Sequence, residues 1–435
     1  TKAFDQWKTS HQPFHWFVEF YGIMRSGGFD VIIGNPPYVA VSKVDYLSSA
    51  TRAMKIPDLY GHIVLRSLTI SARSGRSGMI VPLSITFSED FGLVREALTA
   101  AGKAWFSSYD NIPAALFAGV SQRCTIWLGD RSTPSLYVSP MYRWRSIARP
   151  FLVNQVAYTQ VTVPNVARSG LPKIDSTTCA ALLAKMEDVS VPAARSVVVP
   201  ARQSRHCLRF SQTCRNFVSA YKDPPPCLCE RTLKGVPPSE TGDVAVAAGD
   251  HVFAALGAMA GELCFWYWLT RGDGFHVTGH IVADFLRTLG YLPQREFNLL
   301  TELGKIIHRR RFEALVFKKN AGKYVGNFNF RGHAWLTRRA DLVVLAGLGM
   351  DRNAAIGVFD HVQRVLAINE FVGEKSIPVR VKAMYRPQKV EETAERAILA
   401  ETDHVIQKHF SFTEAELNYL LFHDVVYQPN VGDAE

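Results

Sequence analysis

The chain has 435 residues, 47% hydrophobic and 20% charged, with a formal charge of +10 and a pI near 9.2. That length provides for two or three domains with cores of their own, and the composition excludes a disordered chain. No apolar run reaches the roughly 20 residues that span a bilayer; the nearest, 254–269, is interrupted by Glu262. The basic balance favours a polyanion partner, and seven scattered cysteines read as reduced thiols of a cytoplasmic protein.

Residues 1–28 form a lead-in whose aromatic stretch, 13–24, reads as packing against a sheet edge, His15 and Trp16 included. Val31, Ile32 and Ile33 then make a short β-branched run, predicted as a strand buried on both faces. Gly34 ends it, and Pro36-Pro37 forbids continued sheet or helix pairing. The resulting stiff turn offers two acceptors, the Asn35 side-chain oxygen and the Pro36 carbonyl, suited to an –NH2 group with two protons to donate. Tyr38 adds a flat ring. An exocyclic amine on a planar heterocycle, such as an adenine turned out of its duplex, fits that set. The blander reading is a Pro-Pro turn with Asn35 as a local cap.

Residues 39–55 read as a polar loop, a candidate lid. A helix follows from Leu59 to Ile70 with Asp58 at its N-cap position. Residues 74–78 read as a turn before a strand at 79–82. Ser84 to Phe87 would line the amine side, and Ser88-Glu89-Asp90 would cap a helix at 91–101. A strand at 105–109, an aromatic turn containing Phe117 and a strand at 124–128 complete this half.

From about residue 162 the pattern turns to short strands, proline clusters and scattered arginines (Arg202, Arg205, Arg209, Arg215) suited to phosphate or guanine edges or to a solvated face. Cys207, Cys214, Cys227 and Cys229 lack the paired spacing of a zinc site, so no metal is expected. Residues 254–269 read as one apolar helix ending in a glycine turn that carries His276 and Thr278, either of which is a candidate DNA contact or simply a satisfied turn residue. An amphipathic helix at 299–317 carries Arg309, Arg310 and Arg311, and Lys318, Lys319 and Lys323 extend this run into the best candidate stripe for backbone phosphate. Helices are predicted at 341–348, 354–369, 390–410 and 414–426, the last opened by a cap at 411–416.

Asn35-Pro36-Pro37-Tyr38 resembles motif IV of the amino-methyltransferases that use S-adenosylmethionine. With Pro13-Phe14-His15-Trp16-Phe17-Val18-Glu19-Phe20 and Gly27-Gly28-Phe29-Asp30 beside it, the chain resembles the large adenine-specific DNA methyltransferases of restriction-modification and phage-defence systems. The resemblance implies an α/β fold: part of a Rossmann-like methyltransferase sheet over 1–160, lacking its N-terminal strands, then an α/β target-recognition module over 161–330 and a helical C-terminal region over 331–435. It implies methyl transfer from S-adenosylmethionine to N6 of a flipped adenine held by Asn35, Pro36, Pro37 and Tyr38. Phe117 takes the place of the ring on the far face of the base, and Asp58 that of a cofactor contact. The implied partners are double-stranded DNA and restriction or defence subunits.

In that family the glycine turn and acidic strand end that hold the cofactor lie upstream. Only 34 residues precede Asn35, too few for three βα units. Gly347-x-Gly349 lacks the strand context to replace them. The expectation is a carboxyl-terminal portion of a longer protein, inactive alone. Two further readings share these residues: a protein-glutamine or RNA methyltransferase, and a non-catalytic DNA-binding specificity or scaffold subunit.

Overall fold

In the computed structural model, which describes all residues except 13, 118, 120, 189, 191, 239–240, 368–383, 386–391 and 428–435, contacts divide the chain into two units. One comprises Thr1–Tyr142 with Ser146–Lys173, the other Arg143–Arg145 with Ile174–Glu435.

The first unit is built on a six-stranded sheet: β1 (Phe29–Gly34), β2 (Ser71–Pro82), β3 (Lys103–Tyr109), β4 (Cys124–Asp130), β5 (Ser135–Tyr142) and β6 (Thr159–Val161), in spatial order β1-β2-β4-β3-β5-β6. β1 runs parallel to β2 and β3 parallel to β5, while β4 lies antiparallel between β2 and β3. Helix Leu59–Ile70 makes the crossover from β1 to β2, burying Tyr60, Val64 and Ser67 along one stripe. Val81, Phe106, Trp127 and Val138 bring β2, β3, β4 and β5 into one buried core; each such side chain contributes roughly 1.5–3 kcal/mol.

Arg95, on helix Gly92–Ala100, is fully buried and forms no ion pair among the described residues. Its guanidinium donates instead to the carbonyls of Ile85 (2.9 Å), Ser88 (2.7 Å), Val166 (2.6 Å) and Ala167. Two separate segments, 85–88 and 166–167, are thereby tied to one side chain, and burial lowers its pKa to about 10.

Several expectations are corrected. β1 is the edge of the sheet, with Val31 62% and Ile33 79% exposed, so the β-branched run is not buried on both faces. The aromatic lead-in does pack on the sheet edge as expected, Trp16 and Phe20 meeting Phe29 of β1 edge-on at 5.7 and 5.1 Å, while Phe14, Phe17 and Tyr21 stay exposed. Residues 74–78 are not a turn. They belong to β2, and the irregularity falls where the register jumps from Phe29↔Ser71 to Val31↔Arg76. Ser88 bonds the Asp90 carboxylate at 3.3 Å and caps no backbone N–H.

The second unit has two three-stranded sheets. β7 (His206–Ser211), β8 (Ala220–Tyr221) and β10 (Thr241–Val246) form one, with β7 central; β9 (Cys227–Cys229), β11 (Leu315–Asn320) and β12 (Lys323–Phe328) form the other, with β12 central. Helices Gly249–Met259, Gln294–Arg309 and Ala334–Gly347 pack together, their contact faces built from Leu256, Leu300, Leu303, Ile307 and Val343. The predicted helix at 299–317 ends at Arg309; its last residues turn into β11, which pairs with β12 through a two-residue turn at Ala321 and Gly322, both at positive φ.

The predicted apolar helix at 254–269 is two helices, Gly249–Met259 and Glu262–Arg271, bent by 76°. A side chain on Gly261 would begin 2.1 Å from the Asp341 carboxylate, which accepts the Glu262 N–H at 2.7 Å and starts the second helix. Among the described residues no single helix is long and apolar enough to cross a membrane. Helices Arg352–Ala367, Glu392–Phe410 and Glu414–Tyr427 follow; residues 368–369 and 390–391 of the predicted segments lie outside the described residues. The last helix opens on a reciprocal cap: Thr413 Oγ1 accepts the Glu416 N–H at 3.2 Å, and Glu416 Oε2 accepts the Thr413 N–H at 2.9 Å.

Candidate active site

β1 delivers the Asn35 turn at its carboxyl end, where Gly34 stands opposite Met79 of β2. Pro36 is buried and anchors the corner, while Asn35 and Pro37 are exposed. A Cβ on Gly34 would meet open space. Among the described residues the Asn35 side chain makes no hydrogen bond and the Pro36 carbonyl receives none, so both acceptors are unengaged. The local-cap reading of Asn35 is therefore not what the fold uses.

Tyr38 is half-buried. Its hydroxyl donates to the Ile80 carbonyl at 2.9 Å, and burial, reinforced by the neighbouring Cys124 thiol, pushes the phenol above its ordinary range. The ring meets Tyr60 edge-on at 6.3 Å; Tyr60, fully buried, stacks on Phe91 at 4.7 Å and shares a hydrogen bond with Ser84 Oγ at 2.8 Å. A neutral tyrosine is thus backed by a second aromatic layer that fixes its tilt.

The segment after the turn is more ordered than a polar loop. Leu59 N–H donates to the Val39 carbonyl at 2.9 Å and Val41 N–H to the Pro57 carbonyl at 2.7 Å, so Ala40 and Asp58 face one another across an antiparallel bridge. Between them lie a 3-10 turn at Val41–Lys43 and a helix at Ser49–Ala53. Asp58 occupies the N-cap position of helix Leu59–Ile70, yet its side chain accepts no capping hydrogen bond. Its carboxyl is raised above the ordinary range by burial and by the Asp90 carboxylate. The bridge sets this carboxylate two residues beyond Tyr38 along the chain's return path.

Phe117 is half-buried in the β3–β4 connection and touches no other ring among the described residues. Its neighbours are held firmly: Arg149 donates to the carbonyls of Ala115 (2.8 Å) and Leu116, and Arg123 pairs with Asp110 at 2.8 Å. Ala118 and Val120 of that turn lie outside the described residues.

The basic run divides in the second unit. Arg310, its side chain 17% exposed, is spent internally on Glu395 (2.8 Å) and Glu313 (3.2 Å). Arg309 reaches the same Glu395 at 3.3 Å, and Arg311 lies 4.7 Å over the Phe312 ring with Asp223 at 3.9 Å. Lys318 and Lys319 are exposed on β11 and Lys323 begins β12, with Lys319 paired to Glu230. Arg309 at the helix end is exposed as well, while Lys323 is half-buried. A cavity of about 200 Å³ in the same unit, walled by Phe265, Phe328, Glu262 and Gln363, contains no residue of the Asn35 turn.

The residues present do not enclose S-adenosylmethionine. Among the described residues no strand pairs with the outer margin of β1, where Val31 and Ile33 face solvent. Sequence reasoning missed the supporting layer of Tyr60, Phe91, Cys124 and the Ile80 carbonyl. The only signal for it was the aromatic at position 60 directly after Asp58 and Leu59.

The Asn-Pro-Pro-Tyr corner thus sits at the carboxyl end of the edge strand of a mixed sheet, with an α-helical crossover behind it. Residues 2–100 match the model of the Eco57I restriction-modification methylase family. A Methanocaldococcus jannaschii protein named as a type II restriction enzyme and methyltransferase is 32% identical over 109 residues, 25% of this chain and 9% of that protein. Among solved structures, the Type ISP restriction-modification enzyme LlaGI with a DNA substrate mimic is 9% identical with a TM-score of 0.36, covering 83% of this chain and 54% of that one. The Type IIL enzyme MmeI in complex with DNA is 12% identical with a TM-score of 0.33, covering 88% and 57%. The chain thus spans less than two thirds of each of these relatives.

Proposed function

We propose that this chain is the base-holding and DNA-recognising part of an adenine-N6 DNA methyltransferase of a restriction-modification system. The observation that carries the reading is the pair of unengaged acceptors, Asn35 Oδ1 and the Pro36 carbonyl, beside a tyrosine ring fixed by its own hydroxyl. Both acceptors take protons of the adenine N6 amine, leaving the nitrogen lone pair directed out of the ring plane. Tyr38 stacks on one face of the extruded base, and Phe117 closes the other. S-Adenosylmethionine supplies the methyl group when bound. What these residues contribute is orientation and the dispersal of positive charge building on nitrogen, which needs no strong base. Asp58 is the one carboxylate here suited to a cofactor contact. The hairpin lysines Lys318 and Lys323 hold backbone phosphate, with Arg309 and Arg311 at its root.

The bare margin of β1 favours a second reading, a specificity subunit working beside a chain that holds the cofactor. One experiment separates the readings. Labelled methyl transfer is measured with the natural polypeptide that carries this sequence and with the 435-residue chain alone, on duplex DNA, RNA and protein. Label on duplex DNA recovered as N6-methyladenine from the natural polypeptide, with none from the chain alone, is the expected result. Label on protein or RNA, or none from the natural polypeptide, overturns the proposal.

A further inference from the structure

Two loops of the second unit pair to form a small ladder that no strand assignment predicts. Cys214 N–H donates to the Phe275 carbonyl at 2.8 Å and Val277 N–H to the Gln212 carbonyl at 2.8 Å, with Thr213 and His276 facing each other across it. Cys214 and Val277 are buried beneath. Gln212, Thr213, Arg215 and His276 are exposed above.

His276 is held from several sides although its side chain is 59% exposed. Asp273 Oδ1 accepts the N–H groups of Phe275 (2.7 Å) and His276 (2.6 Å), and Gly274, at φ +81°, permits the tight turn between them. Trp268 Nε1 donates to the His276 carbonyl at 2.7 Å. The ring is fixed as well: its Nδ1 lies 2.6 Å from Asp273 Oδ2, and it stands edge-on to Phe275 at 4.9 Å. With Nδ1–H donated to the carboxylate, Nε2 of the neutral ring is the remaining acceptor, on a mount held by Asp273, Phe275 and Trp268. A solvated histidine gains nothing from such fixation. A group that must discriminate between hydrogen-bonding partners does.

We infer that His276 Nε2 is a specificity-determining contact that reads an exocyclic amine on a base edge of duplex DNA, cytosine N4 or adenine N6, with Arg215 on the adjoining loop and Asp273 as its positioning residue. This rests on the DNA-substrate part of the reading above and adds the site of sequence discrimination. Base edges, unlike phosphates, reward a single fixed acceptor, because the wrong base presents another acceptor in its place.

The test is selection from duplexes with a randomised core, using the chain as it stands and reading the enriched sequences. The native chain enriches a motif. His276→Ala, a change at an exposed side chain, keeps most of the recovered DNA but loses roughly tenfold of the preference at one base position. Asp273→Asn blurs that same position, since its single oxygen stays on the Phe275 and His276 N–H groups and its NH2, a donor, then faces Nδ1. Lys323→Ala lowers recovery of every sequence and leaves the motif unchanged. An unchanged motif from His276→Ala overturns the inference, as does a native chain that enriches no motif. Failure of methyl transfer with the motif and its His276 dependence intact overturns the methyltransferase reading alone.

Discussion

The Tyr38 hydroxyl reaches across to the Ile80 carbonyl at 2.9 Å, fastening the ring beside the Asn35 turn to the far end of β2. The tyrosine therefore has two separable properties, a face and an anchor. Tyr38→Phe keeps the face and loses the anchor. It is expected to cost roughly 0.5–1.5 kcal/mol in urea unfolding and to retain most quenching of 2-aminopurine placed at the target position. Tyr38→Ala removes the face and with it roughly 1–3 kcal/mol of base stacking. Equal fluorescence responses from the two variants would argue against a stacking ring.

Asn35 is exposed, and its side chain makes no hydrogen bond among the described residues. Asn35→Ala is accordingly predicted to move unfolding free energy by no more than about 0.5 kcal/mol. The same change should lower methyl transfer by the natural polypeptide at least about a hundredfold. A stability loss matching the activity loss would show that the asparagine supports the fold instead.

Arg95 is the opposite case. Four backbone carbonyls, those of Ile85, Ser88, Val166 and Ala167, depend on one buried guanidinium. The Ser88 carbonyl keeps the Phe91 N–H at 3.2 Å, but Arg95→Leu removes the buried guanidinium donor from all four, and a loss of at least about 3 kcal/mol is expected. Thermal unfolding reads this directly, and an unchanged midpoint would mean that water reaches the site.

Asp341 sets a pH dependence. Burial, then the Glu262 carboxylate, raises its carboxyl well above the usual range. The folded state thus binds its proton more tightly than the unfolded state, so the contribution is complete below the ordinary carboxyl range and is lost as pH rises through the folded value. Asp341→Asn keeps an acceptor for the Glu262 N–H and removes the titration. Relative to the native chain, the variant should gain stability as pH rises from the ordinary carboxyl range toward the folded value. Parallel urea midpoints across that range would refute the assignment.

How much of this was legible in the sequence depends on how local each cause is. The Asn35 turn could be read because its prolines and the β-branched run lie within ten residues, 29–38. Its supporting layer could not, since Ile80, Phe91 and Cys124 come from other parts of the chain. The strand at 31–33 was placed correctly and its burial was not: apolar β-branched residues announce a strand but not whether a neighbour lies on both sides. The break at Gly261 comes from a carboxylate 79 residues downstream. Arg309 and Arg310 likewise meet Glu395, and no window over 308–311 contains that partner. Remote ion pairs are what turn a charge run into an internal brace.

The unpaired margin of β1 has a practical consequence. Its outward backbone donors and acceptors, flanked by Val31 and Ile33, are a template on which another strand can grow. Two copies of this polypeptide in concentrated solution should zip together along that margin. A charged residue in place of Ile33 should keep them monodisperse.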